Sequence, residues 1–208
     1  KEGAVGLITY MRTDSVRVSE GALKETREFI MKTYGKSYLP AEPNVYRAKK
    51  AAQEAHEAIR PSSVSRRPRD VESYLSPDQV KLYSLIWEQM IASQMMPAIV
   101  AQDTADIRAG RMGFRASGSR VEFLGFLAVT GRDEEQDNPL PELAPDEALN
   151  LLEIGGHQHF TKPPARFTDA ALVKALEERG IGRPSTYAPI IMTLTGRDYI
   201  RREGGSLL

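Results

Sequence analysis

Apolar residues recur at helical spacing through "SPDQVKLYSLIWEQMIASQMMP", residues 76–97. Val80, Tyr83, Trp87, Met90 and Ile91 form one stripe of a 3.6-residue period, so the spacing predicts an amphipathic helix. Ser76 and Gln79 suit a reciprocal capping box, Pro77 suits the first helical position, and Pro97 stops the helix. A second helix is predicted from Ser19, as N-cap, to about Tyr34, closed by Gly35. Ahead of it, residues 5–12 read as a short strand. Side chains two apart on a strand share a face, so Tyr10 and Arg12 would project together.

After Pro97 the period changes from helical to alternating. Ile99, Ala101, Ala105 and Ile107 alternate roughly, then Met112, Phe114 and Ala116, then Val121 and Phe123, with turns expected at Ala109-Gly110 and Ser117-Gly118. This predicts antiparallel β structure over 98–160, interrupted by an acidic, proline-rich loop at 133–145. From Thr168, as cap, a helix carries Leu172, Val173 and Leu176 and ends at Gly180. The turn "GIGRPST" leads into another helix through Ile190, Ile191 and Leu194, and "DYIRREGGSLL" reads as a hairpin. Helix, glycine turn, helix and hairpin is the outline of a winged helix-turn-helix unit. The whole pattern is of the α+β class, with no internal repeat.

Composition narrows the setting. The 208 residues (23.1 kDa) are 41% hydrophobic and 27% charged, which describes a chain able to bury a core. There is no cysteine, which excludes disulfide and thiolate-metal frameworks. No stretch approaches the roughly 18 apolar residues of a membrane span. Lys+Arg and Asp+Glu both total 28, so net charge is silent about nucleic acid. Distribution is not: basic residues gather at 47–50, 60–69, 162–166 and 197–202, and local potential attracts phosphate.

Three stretches carry candidate chemistry. In "ITYMRTDS" the phenol of Tyr10 has an ordinary pKa near 10, so it attacks only when a neighbour stabilises the phenolate or takes its proton. Arg12 could stabilise it and hold an attacked phosphate; a strand-end tyrosine beside a surface arginine is the plainer reading. In "AAQEAHEAIRPS", helical spacing would bring Gln53, His56, Glu57 and Arg60 to one face, joining imidazole, carboxylate and fixed cation. In "FTKPPARFTDAALVKALEERGIGRPSTYAPII", Arg183, Ser185 and Thr186 lie at the start of a helix beside backbone N–H groups expected to be free, a place for an anion. His157 and His159 lack metal-ligand spacing.

Together these stretches resemble the type IA DNA topoisomerases, in the family's order and over essentially the whole chain. "ITYMRTDS" resembles the active-site tyrosine motif, "QEAHEAIRP" the histidine motif, and "KPPARFT" through "LVKALEERGIGRPSTYA" the later signature. Met11 favours the bacterial topoisomerase I branch. The resemblance implies that Tyr10 attacks a phosphodiester of single-stranded DNA and becomes joined to the 5′ phosphate, relaxing negatively supercoiled DNA without ATP. It implies that Arg12 stabilises that phosphate, His56 supports DNA and phosphate contacts near the cut, and Thr9 touches the DNA backbone. Arg183, Ser185 and Thr186 would bind the strand upstream.

The family architecture implies three pieces: 1–97 as the winged-helix-like tyrosine domain, 98–165 as part of a β-rich arch, and 166–208 as a second winged-helix-like segment. In the family a Toprim domain supplies the acidic Mg²⁺ site with a catalytic glutamate and lysine. No counterpart is visible in these 208 residues, so the expectation is a core fragment, inactive alone, with Mg²⁺ belonging to the full enzyme and no metal site here. A monomer in the bacterial cytoplasm, acting on single-stranded and supercoiled DNA, completes the expectation. The alternative is a non-catalytic single-stranded DNA-binding module in which Tyr10 is structural.

Overall fold

In the computed structural model, residues 5–11, 15–46, 57–131 and 138–208 are described. The chain divides into two compact units, Lys1–Glu147 and Ala148–Leu208. Each combines helices with a small antiparallel sheet.

The first unit is built on helix α3, Pro77–Ser93, which follows a short helix α2 at Pro68–Val71. Its capping box forms as the sequence predicts: Gln79 N donates to Ser76 Oγ at 3.4 Å and Ser76 N donates to Gln79 Oε1 at 2.9 Å. The predicted stripe turns inward, burying Tyr83, Trp87, Met90 and Ile91. Helix α1, Glu20–Thr33, lays Ile30 into the same core. Phe29 meets Trp87 edge to face at 5.5 Å, the geometry an aromatic quadrupole prefers. The polar tips of the large rings find carbonyl partners: Trp87 Nε1 donates to Val64 O at 2.9 Å and Tyr83 OH to Arg66 O at 2.7 Å. The basic loop at 60–67 is thereby fastened to α3.

Gln94, almost fully buried at the end of α3, is satisfied reciprocally by Asn44. Its Nε2 donates to Asn44 O at 3.0 Å and its Oε1 accepts from Asn44 N at 3.2 Å.

The period change at Pro97 does mark the start of a β-hairpin. Strands β1, Ile99–Ala109, and β2, Met112–Phe123, pair from Ile99↔Phe123 to Ala109↔Met112 around a turn at Gly110 (φ 60°). The turn expected at Ser117-Gly118 is absent. Gly118 lies inside β2 opposite Asp103, where the backbone of Asn138 and Leu140 comes so close that a Cβ would collide with it. Asn138 and Ser119 exchange backbone hydrogen bonds there, each of 3.2 Å. Close backbone approach, not a reversal, selected this glycine.

Two other expectations are corrected. Among the described residues of 98–160, regular β structure ends at Phe123; helix α4 (Leu127–Thr130) follows, and the described residues of 138–160 form no strand. Apolar residues there, including Leu152 and Ile154, are exposed. Of the strand expected at 5–12, the described residues 5–11 form one antiparallel bridge, Ile8↔Pro61. Beyond the bridge the Arg60 N–H goes to the Thr9 side chain in place of the backbone carbonyl that would extend a ladder.

In the second unit Thr168 Oγ1 caps helix α5, Asp169–Glu178, accepting from Ala171 N at 3.1 Å. Gly180 (φ 67°) and Gly182 (φ 77°) turn the chain into helix α6, Tyr187–Gly196, and strands β3 (Arg202–Glu203) and β4 (Ser206–Leu207) make a hairpin. Leu207 N donates to Phe167 O at 2.7 Å, tying the hairpin to the approach to α5.

Candidate active site

Tyr10 lies at the end of an extended segment that runs against residues 58–62. Thr9 N donates to Arg60 O at 2.9 Å, and Ser62 N donates to Leu7 O at 2.9 Å, flanking the Ile8↔Pro61 bridge. Side chains add to the seam. Thr9 Oγ1 donates to Ala58 O at 2.7 Å and accepts from Arg60 N at 3.1 Å, and Ser62 Oγ donates to Gly6 O at 2.7 Å. The tyrosine motif and the described end of the histidine motif therefore form one piece of structure, although about fifty residues of chain separate them.

The phenol of Tyr10 is not part of that packing. Its residue is 79% exposed and it makes no hydrogen bond to any described residue. A tyrosine kept for the core buries its ring and pairs its hydroxyl, as Tyr83 does here.

The 58–62 stretch is itself fixed. Arg60, with 13% of its side chain exposed, donates from Nη2 to Glu57 Oε2 at 2.6 Å and from Nε to the same oxygen at 3.0 Å. Its Nη1 donates to Pro61 O at 2.9 Å, and Nη2 also reaches Ser19 Oγ at 3.4 Å. Ala58 N donates to Arg17 O at 2.7 Å. Sequence spacing put Glu57 and Arg60 on a helix face; the pair forms, but on irregular chain. Ser19 precedes α1 as expected, yet its hydroxyl makes no helix cap. Arg12, His56 and Gln53 lie outside the described residues.

Thr9 is half-buried, with its hydroxyl engaged inside the protein. The shared use of Thr9 by Ala58 and Arg60 had no local sequence signal, because it depends on contacts far apart in the chain.

In the second unit Arg183, Ser185 and Thr186 are exposed between α5 and α6. Arg183 N donates to Thr186 Oγ1 at 2.8 Å, and that hydroxyl donates to Arg183 O at 3.0 Å. Thr186 N and Tyr187 N also donate to Arg183 O, at 2.8 and 3.2 Å. The backbone amides expected to be free for an anion are thus largely engaged within the turn. What the turn presents outward is the Arg183 guanidinium and the Ser185 hydroxyl.

Comparison with known proteins places this geometry in a family. A sequence profile described as DNA topoisomerase matches residues 3–208, and the chain belongs to that family. It is 51% identical over 216 aligned positions to DNA topoisomerase 1 of Xylella fastidiosa strain Temecula1, and equally to that of strain 9a5c, covering 99% of this chain and 26% of each relative. The chain therefore spans about a quarter of the length of these curated relatives. The crystal structure of full-length topoisomerase I from Thermotoga maritima matches with a TM-score of 0.77 and 35% identity, over 98% of this chain and 32% of that one.

Proposed function

We propose that this chain carries the nucleophilic tyrosine and part of the strand-binding surface of a type IA DNA topoisomerase. Tyr10 attacks a phosphodiester of single-stranded DNA. The P–O bond to the phenol forms as the P–O3′ bond breaks, giving a 5′-phosphotyrosine and a free 3′ hydroxyl. The phenol proton is lost and one proton is gained by the 3′ oxygen. One phosphodiester replaces another, so religation is the same step reversed and needs no ATP. Relaxation of negatively supercoiled DNA follows from strand movement between the two steps. The observation that carries this reading is an exposed phenol on a backbone fastened to the second motif.

In this reading Arg12 steadies the attacked phosphate, His56 supports phosphate and DNA contacts near it, and Arg183, Ser185 and Thr186 line the upstream strand path. The pieces 1–97 and 166–208 serve as winged-helix-like DNA-binding elements and 98–165 as part of an arch. Mg²⁺ is assigned to a Toprim domain of the whole protein, which would act as a monomer in the bacterial cytoplasm. Among the described residues no three carboxylate or imidazole side chains converge as metal ligands, and no step above runs through a metal.

The test is plasmid relaxation by the full-length protein, wild type against Tyr10→Phe. The wild type relaxes negatively supercoiled plasmid and the variant does not; a variant that relaxes as the wild type does refutes the reading.

A further inference from the structure

Thr9 is the last anchored residue before the phenol. Its hydroxyl is donor to one carbonyl and acceptor from one amide of the facing segment, Ala58 O at 2.7 Å and Arg60 N at 3.1 Å. A continued antiparallel ladder would satisfy those groups with backbone; beyond the Ile8↔Pro61 bridge the Thr9 hydroxyl does so instead. Arg60 is in turn immobilised by Glu57, Pro61 O and Ser19 Oγ. The hydroxyl thus connects the Tyr10 backbone to a fixed frame that reaches the start of α1.

We propose that Thr9 is a positioning residue for Tyr10: its hydroxyl, bridging Ala58 and Arg60, sets the direction in which the backbone leaves toward the phenol. The proposal rests on the reading of Tyr10 as nucleophile. It assigns to Thr9 a role within the protein in place of a contact to DNA. A side chain that both donates and accepts at this position is required, which serine supplies and valine does not. Loss of the hydroxyl leaves a half-buried amide and carbonyl without their partner, and the segment relaxes to satisfy them elsewhere. Small displacements of a reacting group cost rate steeply, on the order of a hundredfold for about 1 Å.

The experiment uses the full-length protein with Thr9→Val and Thr9→Ser. Single-turnover cleavage of a labelled single-stranded oligonucleotide at saturation is measured beside its equilibrium affinity and the melting temperature. Thr9→Val is expected to cleave roughly 10–100-fold more slowly with unchanged DNA affinity, and Thr9→Ser to recover most of the rate. Should Thr9→Val not fold, Thr9→Ala is compared with Thr9→Ser to the same ends. A valine variant that cleaves at the wild-type rate overturns the proposal. So does a defect confined to affinity, which marks a DNA contact, or a serine variant as slow as valine, which marks packing of the methyl group. Failure of the wild type itself to cleave, or cleavage by Tyr10→Phe, refutes instead the reading of Tyr10 on which the proposal stands.

Discussion

At the scale of single residues, the contrast between Tyr83 and Tyr10 separates the two uses a protein has for a phenol. Tyr83 is buried, its hydroxyl donates to Arg66 O, and desolvation raises its pKa above the ordinary value. Tyr10 is exposed, directly after the backbone and hydroxyl of Thr9 that are held against 58–60. If Tyr10 is the nucleophile, the guanidinium proposed for Arg12 acts on charge that develops during attack, so its loss should fall on rate more than on binding. Arg12→Ala in the full-length protein is expected to cleave about 10²–10³-fold more slowly at saturating DNA. Arg12→Lys keeps the charge without the planar fork and should recover part of that rate. Equal cleavage by Arg12→Ala and wild type would remove Arg12 from the mechanism. Arg183 presents an exposed guanidinium, and Arg183→Ala should weaken single-stranded DNA binding at every sequence and flatten its salt dependence. An unchanged salt slope would mark a structural arginine.

At the scale of elements, glycine and ion-pair geometry give two sharp expectations. Gly118→Ala places a methyl group against the backbone of Asn138 and Leu140, and should destabilise by about 1–3 kcal/mol. Gly113→Ala, in the same strand with open space around it, should not lower the melting temperature; equal effects of the two would contradict the packing described. In the second unit Arg202 grips Asp169 with two hydrogen bonds of 3.0 Å, joining the first turn of α5 to β3, and these bonds hold the Asp169 carboxyl below its usual pKa. A depressed folded-state pKa stabilises above the unfolded value, about 3.9, and that contribution is lost as pH falls through the folded value. Melting temperature should therefore decline below about pH 4, less so in Asp169→Asn. Asp106, lowered by Arg115 on the hairpin, adds its own decline, so the difference between variant and wild type is the quantity to read. The elements most legible in the sequence were those with local signals: the capping box at Ser76 and Gln79, the cap at Thr168, and the turn at Gly110. Gly118 misled because a glycine that reverses the chain and one that admits another backbone look alike in sequence. The strand expected at 5–12 failed for a similar reason. Its partner, 58–62, satisfies the Arg60 N–H through the Thr9 hydroxyl, and nothing near Tyr10 in the chain announces that.

At the scale of the whole molecule, two of the three motifs that suggested a topoisomerase are joined through the seam between 6–9 and 58–62, and the third, the later signature, folds in a unit of its own. The seam could not be read from either stretch alone; only the resemblance related the two. The chain spans about a quarter of its relatives' length, so the proposed reaction belongs to the whole protein and is tested there. The most direct measurement is denaturing-gel trapping with a single-stranded oligonucleotide carrying its label on either side of the cut. The wild-type full-length protein should retain only the label on the 5′-phosphate side of the break, with mass spectrometry mapping the adduct to Tyr10. Tyr10→Phe should give no adduct while binding the oligonucleotide with nearly unchanged affinity. Covalent DNA on the Tyr10→Phe protein, or an adduct through the 3′ phosphate, would contradict the account.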